Sequence, residues 1–181
     1  MTFNWLWHLR KVGVTNYLII ALDRGLYDML KEIGAHVFLD RTAATNPSYF
    51  ASDTQRFRSA GYNTIVRYKA QLVLDMLGMG FSIFLNDVDT VFLRHPWPTL
   101  QALPSCDFHS STDSQELDTF LTSDRAPGDA NENWVNTGAI WYHPTEPTKQ
   151  WIRDSMEVMR KRWESEWDDQ ALSNDVLKVM C

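Results

Sequence analysis

Phe81-Ser82-Ile83-Phe84-Leu85-Asn86-Asp87-Val88-Asp89-Thr90-Val91-Phe92 is an apolar, β-prone run that closes in two carboxylates with one residue between them. In α/β folds the carboxyl ends of the sheet strands are where ligands gather. If the chain stays extended from Asp87 to Asp89, residues i and i+2 share a face and both carboxylates reach one hard cation. Mg²⁺ or Mn²⁺ held in that way leaves coordination positions for phosphate or diphosphate oxygens. On these residues alone a second reading stands beside the first: a strand running into a polar turn, where Asp is common for its own reasons.

Upstream, Gly78 and Gly80 turn the chain out of a long helix expected over Asn63 to Leu77. Ile65, Tyr68, Leu72, Val73, Met76 and Leu77 form its apolar stripe. Lys69 falls inside that stripe, where a lysine either snorkels to the edge or meets an anion. Arg67 projects from the opposite side. Earlier still, Thr2 to Lys11 reads as a helix with Thr2 as its N-cap and Gly13 as its end. Tyr17 to Leu22 is a continuous apolar run ending in Asp23, as in a strand buried on both faces. A helix from Gly25 to Ile33 is closed by Gly34, and His36 to Leu39 is a short strand ending at Asp40. Helix, strand, helix, strand joined by tight loops predicts a parallel sheet. Arg41 to Tyr62 reads as irregular, broken by Asn46-Pro47 and Gly61.

Downstream, Arg94-His95-Pro96-Trp97-Pro98 is a rigid exit loop, and Cys106 to His109 is a strand leading into Ser110-Ser111-Thr112-Asp113. Ser114 to Asn133 is a polar segment, and loops of that length inside a domain are functional or disordered. Asn136 to His143 is a strand that begins with small polar residues. Thr145 or Thr148 caps the helix after it, whose buried stripe is Ile152, Met156, Met159 and Trp163. Trp167-Asp168-Asp169-Gln170 precedes a last helix, Ala171 to Val179. With no internal repeat, the 181 residues predict one α/β domain, 1–181.

The formal net charge of −6 argues against an electrostatic nucleic-acid binder. No apolar run is long enough to span a bilayer, and Met1 to Lys11 lacks a signal-peptide layout. The proline of Asn46-Pro47-Ser48 disqualifies it as a glycosylation acceptor. Cys106 and Cys181 make no framework or metal spacing. The histidines show no repeated ligand spacing and read as structural or solvent-facing, and each tryptophan reads first as core filling.

Four polar clusters thus sit at the ends or beginnings of apolar elements: Lys69, Asp87 with Asp89, Asn136-Thr137-Gly138, and Asp168-Asp169-Gln170. Each alone has a structural explanation; a glycine at a strand entry permits close packing, and an acidic pair favours a helix N-terminus. Their order is more informative. YNTIVRYKAQLVLDMLGMGFSIFLNDVDTVFLRHP, from Tyr62 to Pro96, resembles the nucleotide-diphospho-sugar transferase domain of plant and algal cell-wall arabinosyl- and xylosyltransferases. NTGAIWYHPT and WDDQALSN resemble the downstream blocks of the same group.

The resemblance implies a GT-A fold, a Rossmann-like, mostly parallel sheet flanked by helices that binds a nucleotide sugar, here a UDP-sugar. It implies that Asp87 and Asp89 bind Mn²⁺ (or Mg²⁺), which holds the donor diphosphate. Lys69 and Arg67 would lie near the donor, Asn136, Thr137 and Gly138 would line the sugar, and Gln170 and Asp113 would complete the donor site. Asp169, with Asp168, would sit near the anomeric carbon or the acceptor, a glycan or glycoprotein, with retention of configuration. Full-length relatives are expected in the Golgi lumen behind an N-terminal anchor. The family has a strand before the first helix and a region past the Asp-Gln helix, so the expectation is a core incomplete at both ends. Two alternatives remain: a haloacid-dehalogenase-type Mg²⁺ phosphatase built on Asp87-Val88-Asp89-Thr90 and Ser110, or a GT-A-like domain that is catalytically incomplete. Against the phosphatase, the motif sits mid-chain after two strands, and no well-placed lysine precedes an acidic Gly-Asp block.

Overall fold

Apolar spacing and glycine punctuation set the first elements. In the computed structural model, which describes residues 1–40, 60–112, 135–161, 170, 173–174 and 176–177, helix α1 spans Thr2–Lys11. Met1 holds the N-cap position without a side-chain cap, so Thr2 is the first helical residue and not the cap. Trp5, Leu6 and Leu9 fall on one helical face and are buried. Gly13 adopts φ +83°, a left-handed conformation that ends the helix at little cost only for glycine.

Strand β1, Ile19–Ala21, pairs in parallel with β2, Val37–Leu39, in the register Ile19 to Val37 and Ala21 to Leu39. Helix α2, Arg24–Glu32, forms the crossover between them. Asp23 closes the apolar run because it caps this helix: its Oδ1 accepts the Leu26 N–H at 2.7 Å. Both strands are shorter than their apolar runs, and Leu18 and Phe38 are exposed, so burial on both faces does not extend over Tyr17 to Leu22. Trp5, Leu6, Leu9, Val14, Ile19 and Leu30 form the core here, with Phe92 packed against it. These elements belong to a compact unit comprising Met1–Ile65 and Val88–Pro98.

A second compact unit comprises Val66–Asp87 and Thr99–Cys181. Helix α3 runs over Ala60–Gly78, three residues longer at its start than the apolar pattern required. Val66, Val73 and Leu77 are its buried positions, which turns the core face slightly from the expected stripe and leaves Ile65, Tyr68, Leu72 and Met76 half-buried. Strand β3 is Ile83–Asn86; the five-residue helix α4 is Trp97–Gln101; strands β4 and β5 are Phe108–Thr112 and Val135–Tyr142. The order is β3-β5-β4, and β5 is antiparallel to both neighbours.

The expectation of a mostly parallel sheet is therefore corrected: among the described strands only β1 and β2 pair in parallel, and both pairings of the second unit are antiparallel. The helix–strand alternation that signals parallel pairing continues through β4, so alternation alone did not decide the pairing. What decides it is that β5 inserts between β3 and β4 and runs antiparallel to both. The mixed helix and strand content is that of an α/β chain. Helix α5, Glu146–Lys161, lays Thr148, Trp151, Ile152, Ser155 and Met159 inward. Thr145 caps it, its Oγ1 accepting the Thr148 N–H at 3.4 Å. Val73, Leu77, Ile140, Tyr142, Trp151 and Ile152 centre this core. Among the described residues, no helix is long and apolar enough to cross a membrane.

Candidate functional site

The site is built where β3 stops. Asn86 pairs with Ala139, and the ladder runs one bond further, the Asp87 N–H donating to the Gly138 carbonyl at 2.8 Å. That bond fixes the Asp87 backbone directly over the strand entry Asn136-Thr137-Gly138. The Asp87 carboxylate then lies across Gly138: a Cβ on that glycine would meet Asp87 Oδ2 at 2.8 Å and Asn136 Oδ1 at 3.1 Å. Glycine is required here for close approach, since its φ lies outside the left-handed region. The Asn136 side chain turns back on its own strand, Oδ1 accepting the Gly138 N–H at 2.8 Å.

Lys69 Nζ lies 3.5 Å from Asp87 Oδ1, with the lysine side chain 28% and the aspartate side chain 46% exposed. The anion that the lysine meets is thus a carboxylate of its own chain, and the pair remains open to water. A pair this exposed contributes little to stability. Its consequence is local: one carboxylate oxygen leans on the ammonium and the other on the glycine.

The partner of the strand entry comes from the far end of the sequence. Gln170 Oε1 accepts the Thr137 N–H at 3.2 Å. Asn174 makes a two-way bond with Val135, its Oδ1 accepting the backbone N–H at 2.9 Å and its Nδ2 donating to the carbonyl at 3.0 Å. The same Nδ2 donates to Gln170 O at 2.7 Å. Trp151 Nε1 donates to Ser173 O at 3.1 Å, tying this segment to α5. Asn174 imitates a neighbouring β-strand for Val135 and so holds the sheet edge at its polar entry.

The structure therefore brings together Lys69, Asp87, Asn136, Thr137, Gly138 and Gln170. Arg67 is half-buried on α3 and, two residues before Lys69, points to a different side of the helix. Asp168, Asp169 and Asp113 lie outside the described residues. Strand β3 ends at Asn86 and Val88-Asp89 forms a turn. The shared-face argument for Asp87 and Asp89 required extended chain, so alternation does not supply it. Asp89 belongs to the unit containing Val88–Pro98. Sequence reasoning gave no role to Asn174; the signal was its position four residues after Gln170, one helical turn on.

Among the described residues no group of three His, Cys, Asp or Glu side chains is placed to hold a metal ion. Asp87 itself fits a hard cation: it is a half-exposed carboxylate, and Mg²⁺ or Mn²⁺ takes few protein ligands, water and phosphate oxygens supplying the rest. A separate imidazole cluster lies along β4 and β5. His143 stacks obliquely on Trp141, lies beside His109 and has Nδ1 3.4 Å from Ser82 Oγ. Burial first, and the His109 ring second, lower its pKa from the usual 6.5, against an opposing pull from Asp107. Both histidines of this cluster are half-buried and in contact with the Trp141 ring. Of the tryptophans, Trp5, Trp141 and Trp151 fill cores, whereas Trp7 and Trp97 are exposed.

The family model for nucleotide-diphospho-sugar transferase matches residues 12–181 of the chain. The chain is similar to beta-arabinofuranosyltransferase RAY1 of Arabidopsis thaliana, 33% identical over 102 residues, which are 56% of this chain and 18% of that protein. It is 25% identical over 183 residues to arabinosyltransferase XEG113 of the same plant, covering 98% of this chain and 26% of that one. A UDP-D-xylose:L-fucose alpha-1,3-D-xylosyltransferase of Arabidopsis thaliana is 25% identical over 177 residues, 96% of this chain and 44% of that one. The chain thus spans less than half the length of each of these curated relatives. No solved structure gives a significant match.

Proposed function

The chain belongs to the nucleotide-diphospho-sugar transferase family, and we propose that it forms the donor-binding core of a glycosyltransferase that takes its sugar from a UDP-sugar. The observation that carries this reading is the Asp87 carboxylate, fixed by the strand ladder over Gly138 and beside Lys69 at the end of β3. A phosphatase would need another family altogether, and the match over residues 12–181 removes that alternative.

In the proposed reaction the bond from the anomeric carbon to the diphosphate oxygen breaks. A bond from that carbon to an acceptor hydroxyl oxygen forms, and the hydroxyl proton leaves. The obstacle is the charge that grows on the departing diphosphate. A divalent cation, Mn²⁺ or Mg²⁺, when bound by Asp87 and Asp89, supplies positive charge to that diphosphate. Lys69 adds an ammonium on the same side of the site. Thr137 and Gly138 offer a narrow polar floor, and the lack of a side chain at 138 lets the Asp87 carboxylate lie against the backbone. Gln170 and Asn174 keep that floor in register. Arg67 and Asp113 are assigned to the donor on the family likeness. Asp169, with Asp168, is assigned on the same ground to the anomeric carbon, where a carboxylate stabilises oxocarbenium-like charge or attacks the carbon with retention.

A glycan or glycoprotein acceptor and a place in the Golgi lumen, the expectations of the family resemblance, belong to the same proposal. The test is calorimetric titration of UDP with and without Mn²⁺ into this chain and into Asp87→Asn/Asp89→Asn. Metal-dependent binding that disappears in the variant is the expected result. Equal binding in both proteins would refute the role of the carboxylates. A folded wild-type chain that binds no UDP would identify a domain that keeps the fold without a working donor pocket.

A further inference from the structure

A cavity of about 40 Å³ lies in the second unit beside the donor residues, reached by Lys69 of α3, Thr137 of β5, Ser155 of α5 and Ser173. Its remaining described lining is mostly apolar, including Val73, Leu85, Trp151 and Met159. Ser155 is 3% exposed, and its hydroxyl oxygen finds no hydrogen-bond partner among the described residues. A serine inside a helix ordinarily bonds back to the carbonyl one turn earlier. Here the hydroxyl forgoes that bond while lining the cavity, a buried polar group of a kind that native proteins seldom leave unsatisfied.

The volume decides what satisfies it. A water needs about 10–15 Å³ of such space and two to four polar partners. The cavity passes the first requirement with room for more than one water. It meets the second through the polar residues of its lining, Ser155, Thr137, Ser173 and Lys69. A dry cavity is expected where the lining is wholly apolar, and this lining is not.

We infer that ordered water in this cavity links Ser155 to Thr137 and Lys69, making Ser155 a positioning residue of the donor site. The inference rests on the proposed donor reading for its functional part only. Ser155 touches no substrate in this scheme. It acts through water on two residues of the same lining, of which Lys69 also reaches Asp87 Oδ1 at 3.5 Å and Thr137 precedes the glycine on which that carboxylate lies. Thr137 is already held at its N–H by Gln170, so the water fixes its side-chain end. No bond is made or broken, and the effect is on donor affinity.

The test pairs a crystal structure of the whole chain with UDP titration in Mn²⁺, for wild type, Ser155→Ala and Ser155→Thr. Wild-type density should show water within hydrogen-bond distance of Ser155 Oγ. The alanine variant should bind UDP about threefold to tenfold more weakly, the scale of one net hydrogen bond. Threonine, which restores the hydroxyl and adds a methyl that the cavity can hold, should recover most of that loss. Wild-type density without water at Ser155 overturns the hydration. Water present with unchanged UDP affinity in Ser155→Ala overturns the positioning role. A wild type that binds no UDP refutes the donor reading and with it the positioning role, and the density still decides the hydration independently.

Discussion

Replacing Gly138 by alanine isolates the geometry of Asp87 from its charge. The new Cβ would stand 2.8 Å from Asp87 Oδ2 and 3.4 Å from Asp87 Cγ, while ordinary contact begins at 3.4 Å. The carboxylate must therefore retreat by about half an ångström or rotate about χ, because its backbone is pinned by the 2.8 Å bond to the Gly138 carbonyl. The strand itself has no reason to object: the backbone at 138 is not left-handed, and alanine costs the unfolded chain some of its freedom, worth about 0.4–1 kcal/mol in favour of folding. Fold stability should thus stay within about 1 kcal/mol of wild type, the residual strain offsetting the entropic gain. Metal-dependent UDP affinity should fall about 10- to 100-fold, the usual effect of disturbing what orients a metal ligand. Calorimetric titration of UDP in Mn²⁺, beside a thermal melt of the same sample, reads both quantities. A variant that melts like wild type and binds UDP as tightly would refute the claim that the carboxylate pose over Gly138 matters.

Three further outcomes follow from the packing and the charges. Asn174→Ala strips both backbone groups of Val135 of their partner at a buried position, so denaturant unfolding should show a loss of about 1–3 kcal/mol. Ile140→Ala, at the fully buried centre of β5, should cost about 2–5 kcal/mol in the same assay. His143 has a folded pKa below the usual 6.5, so below that pH the unfolded chain takes up the proton first. Its contribution is fully present above 6.5 and lost as pH falls through the lower folded value. Melting temperature should drop over that interval, and His143→Asn should flatten the drop; an unchanged pH profile would show that His143 is not its source.

How far the sequence foretold this arrangement depends on the range over which each signal acts. Local chemistry carried the first unit: Asp23 capping α2, Gly13 and Gly34 ending helices, and α2 as the crossover that makes β1 and β2 parallel. The order Lys69, Asp87, Asn136-Thr137-Gly138, Gln170 was legible as a set because each member ends or begins an apolar element. What escaped were facts decided by distant partners. The antiparallel seat of β5 between β3 and β4 depends on which strands meet across long connections, and no local period records that. Asn174 looked like an ordinary helical asparagine, since its two bonds go to a residue 39 positions earlier. At Val88-Asp89 the sequence left two readings open, extended chain or a strand running into a polar turn, and the structure has the turn.

That last difference bears on how Asp87 and Asp89 would serve one ion. An alternating strand would present both carboxylates by periodicity alone, and any residue between them would do. With the strand ending at Asn86, only Asp87 inherits its position from the sheet: the ladder bond and Gly138 place it whatever follows. Asp89 takes its position from the turn, so its contribution depends on the conformation of Val88 and Thr90. The two carboxylates are then not equivalent. Asp87→Asn should remove metal-dependent UDP binding outright, whereas Asp89→Asn should weaken it by a smaller factor that responds to turn substitutions such as Val88→Gly. Equal losses in the two single variants, insensitive to Val88→Gly, would show that the turn is as rigid a platform as the strand.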